Sequence, residues 1–513
     1  MSELSALGIV YLVGAGPGDP GLLTVRGRDL LHGCDAIATD ALANPAIVAM
    51  ARLANPTVEI HDVGKRGGSS ESTSQDDINA LLVRLGREGK RVVRLKGGDP
   101  LMFGRGSEEA QALSAADVRF EMVPGVTSGV AAPAYAGIPV THRGVATSVT
   151  FVTGHEDPTK SETGTDWAAL ARAGGTIVLY MGVKTLPNIA AALVAGGMSP
   201  TTPAAAVQWG TYTRQRTIVA TVSTLADAIA RAGVGAPVIT VIGNVVSLRD
   251  EIAWFDRRPL FGRRVVVTRA SAQASGLRDA LTDMGAEVIE LPALRIEPLD
   301  SAPLLAALER LDEVDWLMFT SQNAVELAWQ VLRASGRDAR ALAHCRIACV
   351  GRATGDALLA HGLAADVMPE RFVAEGVLEA LTSRDDVRGT RVLYLAAINA
   401  RDVLPKGLRA LGCDVRVIPL YRSVSDGAGA EALRDRLTEG GLDAVIFASA
   451  SAVRGYADIV GDELARSVPA VSIGPVTSAA IEEAGIFLGA ESEEASVSGL
   501  AEATRRYVLG LGQ

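Results

Sequence analysis

Short apolar runs alternate along the whole chain with longer stretches whose apolar positions recur at helical spacing. IVYLVG (9–14), RVVRLKGG (91–98), SVTFVTGH (148–155), GTIVLYMG (175–182) and PVITVIG (237–243) read as buried strands, each ending in or near glycine. Between them, segments such as Asp76–Glu88 and Thr185–Gly196 have the spacing of amphipathic helices. This alternation predicts an α/β fold with largely parallel sheets.

The pattern breaks near 250–262, where AWFDRRPLFGRR brings three aromatics, two arginine pairs and Pro259 before a new strand, VVVTR. The break places a domain boundary there, giving 1–255 and 256–513. A polar stretch rich in turn formers, EDPTKSETGTD (156–166), reads as a loop. The second half repeats itself. GRRVVVTRASAQASGLRDALTDMGAEVIELPAL (262–294) parallels GTRVLYLAAINARDVLPKGLRALGCDVRVIPLY (389–421), and DWLMFTSQNAV (315–325) parallels DAVIFASASAV (443–453). CVGRATGDAL (349–358) likewise parallels SIGPVTSAAI (472–481). Offsets of about 123 to 128 residues are too long for a solenoid unit and fit a duplicated α/β unit, two similar lobes around a cleft.

Composition narrows the class. A chain of 513 residues exceeds one hydrophobic core. Aromatics are scarce at 4 % while glycine reaches 54 residues, which suits α/β architecture with small residues at tight strand-to-helix turns. The net charge is −10, with most of the acidic excess in the second half, so nucleic acid is not an expected partner. A polyanionic ligand has to be met by local arginine clusters. Cys34, Cys345, Cys349 and Cys413 lack zinc-site spacing and read as reduced core thiols of a cytoplasmic protein. The opening residues read as a first strand, not a signal peptide, and no apolar run reaches the roughly 20 residues of a membrane span.

Gly14, Gly16 and Gly18 follow a strand, and Asp40 ends the next one, as in dinucleotide-binding folds. Yet Asp19 stands where the third glycine of that fingerprint belongs, and a carboxylate there repels a pyrophosphate. The two prolines of GAGPGDPG also remove backbone donors. The loop suits a ligand without phosphates, such as S-adenosylmethionine, or a turn that binds nothing. Further glycine-rich sites recur at strand ends: RLKGGDPLMFGRGSEE (94–109), VPGVTSGVAAPAYAGIPVTHRG (123–144), YMG (180–182) and QWGT (208–211).

Taken in order, these blocks, with VGKRGG, QDDIN and SVTFVTGH, closely resemble the tetrapyrrole methylase family, and within it the uroporphyrinogen-III C-methyltransferases. The resemblance covers nearly all of 8–255. It implies two α/β subdomains with S-adenosylmethionine bound between them, S-adenosylhomocysteine as its product, and a homodimer formed through this half. It implies two successive methylations of uroporphyrinogen III to precorrin-2, a step shared by the cobalamin and sirohaem routes. Carried over by position, cofactor contacts fall on Pro17, Gly97, Gly98, Asp99, Met102, Thr127, Ser128, Met181, Gly210 and Ala236. Asp40 matches the proposed proton acceptor and Lys65 the proposed donor. The chain departs from the family at Ala41, where arginine is common. After Arg66, SSESTS is one residue longer and lacks a histidine, which puts substrate contacts at the mouth in question.

The chemistry agrees with these residue types. The sulfonium methyl is already activated, so transfer needs position more than catalysis by side chains. A pyrrole proton must leave, and an ionised carboxylate such as Asp40 is a suitable base; the bland alternative is a loop-capping carboxylate. Lys65, Arg66, Arg105 and Arg143 are candidate partners for the eight substrate carboxylates, against the alternative of solvated surface charges. His142 and His155 lie in no ligand cluster, and no metal is expected.

The repeat with its FTSxNAV and GPxTxxA blocks resembles uroporphyrinogen-III synthase over 262–510. That resemblance implies two α/β lobes, 299–416 as one and the flanking pieces as the other, joined by LPALRIEP (291–298) and VIPLYRSV (417–424). It implies ring closure of hydroxymethylbilane, with Tyr421 hydrogen-bonding the departing hydroxyl. Thr320, Ser321, Ser449, Ser451 and Thr477 are candidate substrate contacts, although Ser and Thr after a strand are often helix caps. Two readings of the whole chain stay open: a bifunctional synthase–methylase, or a methyltransferase whose second half is a non-catalytic ligand-binding or regulatory module. A dehydrogenase or sirohaem-forming protein is opposed by Asp19 and by the lack of a second dinucleotide fingerprint.

Overall fold

The computed structural model describes residues 8–64, 73–154, 164–268, 271–291, 294–369, 374–425 and 430–510. The chain divides into two compact units, Met1–Arg263 with Leu281–Glu287, and Arg264–Ala280 with Val288–Gln513.

The first sheet contains β1 (Ile9–Gly14), β2 (Ala36–Thr39), β3 (Glu59–Asp62), β4 (Arg91–Lys96) and β5 (Arg119–Val123). Its order is β3-β2-β4-β1-β5, and its pairings are parallel. Strand alternation sends Tyr11 and Val13 into one core and Val10 and Leu12 into another, so both faces need a covering layer. One cover is the helix Gln75–Arg87, which starts on a Ser74–Asp77 capping box and buries Ile78, Leu82 and Leu85 at helical spacing.

The second sheet contains β6 (Val149–Thr153), β7 (Thr176–Tyr180), β8 (Pro203–Gln208), β9 (Arg216–Thr221) and β10 (Val238–Ile242), in the order β6-β7-β10-β8-β9. Only β6 and β7 pair in parallel; β7–β10, β10–β8 and β8–β9 are antiparallel. This sheet is the exception to the largely parallel pairing expected of the chain. The reason is local: β8 and β9 are joined directly by a short loop, without a crossover helix, which permits only antiparallel pairing.

In the second unit, β11 (Arg264–Val267), β12 (Glu287–Glu290), β18 (Ala444–Phe447), β19 (Ala470–Ser472) and β20 (Leu488–Glu491) form one sheet in the order β12-β11-β18-β19-β20. The other sheet takes β13 (Leu294–Pro298), β14 (Trp316–Phe319), β15 (Arg346–Cys349), β16 (Arg391–Ala397) and β17 (Asp414–Ser425), in the order β13-β17-β16-β14-β15. The twelve-residue β17 serves twice: its first part pairs in parallel with β16, and Tyr421–Ser425 pairs antiparallel with β13. Each sheet packs helices against its own core. Among the described residues, no helix is long and apolar enough to cross a membrane.

Candidate functional site

In the first unit, the loops that leave β1, β4 and β5 meet backbone to backbone. Gly16 and Gly98 form an antiparallel bridge, Gly16 N–H donating to Gly98 O at 3.1 Å and Gly98 N–H to Gly16 O at 2.7 Å. Both have φ near +70°, a conformation that glycine adopts without strain. A Cβ on Gly14 would lie 2.5 Å from Gly125 Cα, so the contact excludes side chains on both loops. Asp99 locks the junction: Oδ1 accepts from Leu101 N at 2.8 Å and Met102 N at 3.1 Å, and Oδ2 from Gly125 N at 3.0 Å. Asp99 thus holds loop backbones in place with both of its oxygens.

Two loops of the second sheet join this junction. Thr211 Oγ1 accepts from Asp19 N at 2.9 Å, and Tyr135 Oη donates to Asp19 Oδ2 at 2.7 Å. Asp19 Oδ1 accepts from Gly21 N, so the carboxylate that spoiled the dinucleotide fingerprint is a structural clasp. Tyr180, at the end of β7, accepts from Gly129 N at 2.8 Å and shares a 2.6 Å hydrogen bond with Thr127. Burial pushes the Tyr180 hydroxyl above its ordinary range, so it stays a neutral hydrogen-bonding group. Its ring also packs against Phe103, 4.9 Å between centroids.

Non-glycine residues with left-handed backbone gather in these loops. Phe103, Arg105, Met181, Trp209 and Thr211 have φ between 48° and 73°. Such conformations cost energy and persist where surrounding structure imposes them. Met181 is also 54 % exposed, an apolar side chain left facing outward at a strand end.

The structure therefore brings together the loops carrying Gly97, Gly98, Asp99, Met102, Thr127 and Ser128, and Pro17, Met181 and Gly210 are chain neighbours of Gly16, Tyr180 and Thr211, which join them. Ala236 directly precedes Pro237, whose carbonyl accepts from Trp209 N beside Gly210. Asp40 joins through Oδ1, which accepts from Leu42 N at 3.2 Å and Gly97 N at 3.4 Å. Arg105 is committed to Glu108 in a bidentate pair at 2.8 and 2.7 Å, and Arg143 lies in an exposed turn. Lys65, Arg66 and His155 lie outside the described residues.

Sequence reasoning missed Tyr180 as the anchor of Thr127. It also missed a buried ionic cluster behind Asp40. Arg94 and Lys96, 3 % and 4 % exposed, both reach Oε1 of Glu109, which is fully buried. Desolvation, with Arg94 nearby, pushes the Lys96 ammonium below its ordinary range. The signal available was RVVRLK itself, two charges on alternate positions of a central strand.

In the second unit Thr320, Ser321, Ser449 and Ser451 follow the C-terminal ends of strands, while Tyr421 lies inside β17. Ser321 follows β14 and caps the helix Gln322–Ala334 by accepting from Ala324 N; Ser449 follows β18 and caps Ala450–Val460 by accepting from Ala452 N. Ser451 hydrogen-bonds Ser449 at 3.1 Å. Thr477 is buried in the first turn of Pro475–Glu483. Tyr421 is 6 % exposed and hydrogen-bonds Ser321 at 2.9 Å, while Thr320 hydrogen-bonds buried Tyr394. These hydroxyls serve caps and one another.

All four cysteines are buried and free, and burial pushes the Cys34 and Cys345 thiols up to about 11. Among the described residues no His, Cys, Asp or Glu group has the arrangement to hold a metal.

Comparison with known proteins divides the chain in two. Residues 9–226 match the family model of tetrapyrrole (corrin/porphyrin) methylases, and residues 275–502 that of uroporphyrinogen-III synthase HemD. The chain is 37 % identical over 481 residues to the porphyrin biosynthesis protein HemD of Ruminiclostridium josui, covering 93 % of this chain and 94 % of that one. It is 51 % identical over 243 residues to the S-adenosyl-L-methionine-dependent uroporphyrinogen III methyltransferase of Methanosarcina barkeri, covering 47 % of this chain and 94 % of that protein. A solved uroporphyrin-III C-methyl transferase from Thermus thermophilus, complexed with S-adenyl homocysteine, is 36 % identical and covers 47 % of this chain and 100 % of that one, with a TM-score of 0.40.

Proposed function

The chain belongs to the tetrapyrrole methylases, fused to a half of the uroporphyrinogen-III synthase family, and on that premise we propose that it catalyses two consecutive steps of tetrapyrrole biosynthesis. Its second half closes hydroxymethylbilane to uroporphyrinogen III. Its first half methylates that product twice, giving precorrin-2.

The observation that carries the methylase reading is the junction of loops around Gly98 and Asp99. A bound S-adenosylmethionine supplies a sulfonium-activated methyl and leaves as S-adenosylhomocysteine. The residues fit such a ligand. A Cβ on Gly98 would already be in van der Waals contact with Ser128 N at 3.6 Å and Thr127 Cα at 3.9 Å, so glycine here keeps the β4 loop close against the Thr127–Ser128 turn. Both carboxylates of the junction, Asp19 and Asp99, are held by backbone amides and Tyr135, so the loops present mainly backbone polar groups to a ligand. Asp40, a quarter exposed at the rim, is the proposed acceptor for the proton that leaves the methylated pyrrole. Lys65 is the proposed donor. Arg66, Arg105 and Arg143 are proposed to meet substrate carboxylates, Arg105 by exchanging its exposed partner Glu108, a pairing worth little in water.

In the second half, Tyr421 is proposed to hold the departing hydroxyl, assisted by the hydroxyls of Ser321 and Thr320. Its near-complete burial and its bond to Ser321 favour the second reading, in which this half binds a tetrapyrrole without closing it. One assay separates the two. The full chain receives hydroxymethylbilane with S-adenosylmethionine, and the products are resolved by isomer and methyl count. Type III isomer and its dimethylated derivative support both activities. Type I isomer alone, with normal methylation of added uroporphyrinogen III, leaves only the methylase.

A further inference from the structure

Arg94 and Lys96 lie two residues apart on β4 and so project from the same face of the sheet. Both converge on Glu109 of the helix Gly106–Ala115: Arg94 Nε donates to its Oε1 at 3.1 Å and Lys96 Nζ at 2.8 Å, with Gln75 Nε2 at 3.4 Å. The second carboxylate oxygen, Oε2, is buried and accepts no hydrogen bond. Removing three charges from water costs several kcal/mol per ion, and such clusters are often less stabilising than apolar packing. Stability is therefore a weak reason for this one to exist.

The orientation of the guanidinium supplies a better reason. Its Nε is fixed by Glu109. One terminal nitrogen donates to the carbonyls of Ala38, at 3.3 Å, and Leu95, at 3.1 Å. The other reaches out to Asp40, 3.8 Å from Oδ2. Ala38 lies two residues before Asp40, so one planar group ties both the end of β2 and the carboxylate that follows it. Lysine has no fork with which to reproduce three fixed directions.

We propose that Arg94, oriented by Glu109, is a positioning residue for Asp40, holding this carboxylate where a proton can be taken from the substrate. Arg94 does not touch the substrate. Its effect passes through Asp40, and the proposal rests on the reading of Asp40 as the proton acceptor.

A double-mutant cycle in the full chain tests this, with methyl transfer to uroporphyrinogen III as the readout. Arg94→Lys is expected to lower kcat roughly ten- to a hundredfold, as a displaced reacting group does, and to leave the KM for S-adenosylmethionine within about twofold. In an Asp40→Asn background the same substitution is expected to change kcat by less than about twofold, because nothing is left to position. An equal loss in both backgrounds overturns the proposal and makes Arg94 a structural residue, while Asp40 keeps its role. An Asp40→Asn chain with unchanged kcat overturns the reading of Asp40 and the positioning role with it. Calorimetric binding of S-adenosylmethionine reports that each variant is folded. If Arg94→Lys fails to fold, Glu109→Gln takes its place in the cycle with the same expectations, since it removes the charge that holds the guanidinium and keeps the side-chain shape.

Discussion

Gly125 shows how little freedom the loop junction has. A Cβ there would collide with the carbonyl oxygen of Gly98 and come within 2.7 Å of Gly14 Cα, all of it backbone that cannot turn aside. Gly125→Ala must therefore part the β4 and β1 loops and break the Asp99–Gly125 bond. Isothermal calorimetry is expected to show S-adenosylmethionine binding weakened at least about tenfold, a loss of roughly 1.4 kcal/mol, with the far-ultraviolet dichroism unchanged. Native affinity in this variant would remove the junction from the binding site. At this scale the glycines were legible because only a backbone in close contact or with positive φ needs them. Asp99, Thr127 and Ser128 were legible only through resemblance. What they contact was not: Tyr180 is, in sequence, one more apolar end to a strand, and its hydroxyl becomes informative only beside Gly129 and Thr127. The hydroxyls of the second half illustrate the converse, since Ser321 and Ser449 turned out to cap helices as the simpler reading allowed.

Among the elements, β8 is one that the apolar runs leave out, although QWGT at its end reads as a strand end. PAAAVQ has no β-branched run, and alanine favours helices intrinsically. Its strand state is imposed by tertiary packing. Ala204 and Ala206 face the core beneath Trp167 and Leu193, whereas Ala205 and Val207 face the core that holds Ala132 and Ala136 of the helix Ser128–Tyr135. Small side chains let that helix sit close to the sheet, and Thr127 precedes its first residue. Ala205→Leu adds volume to a fully buried, close-packed position and is expected to cost about 1–3 kcal/mol by urea unfolding. It is also expected to weaken cofactor binding by displacing Thr127 and Ser128. A variant as stable as the parent would show the helix free to move away. The same strand explains why the second sheet departs from parallel pairing: without β8 and β9, the alternation of β and α looks wholly parallel. The longer apolar runs β1, β4, β7 and β10, by contrast, were read within a few residues, because burial on both faces leaves an uninterrupted signature.

For the whole molecule, the two units differ in what a ligand of the first can do to them. The cores under the β1–β5 and β6–β10 sheets belong to the first unit; those under the β11–β20 sheets belong to the second. Each unit is large enough to bury a core of its own and so to unfold cooperatively by itself. Scanning calorimetry of the full chain is therefore expected to show two transitions. A ligand that binds only the native first unit stabilises that unit alone, by about 2.7 kcal/mol at a hundredfold excess over its dissociation constant. For a unit of this size that raises one melting temperature by roughly 5–10 °C, taking about 2–4 °C per kcal/mol. S-adenosylmethionine should move one transition by such an amount and leave the other in place, and Gly125→Ala should abolish the movement. Hydroxymethylbilane or uroporphyrinogen III should move the second transition if the synthase-type half binds a tetrapyrrole at all, whether or not it closes the ring. A single transition that shifts as a whole with S-adenosylmethionine would mean the two units unfold as one, and would overturn the independence expected from their separate cores.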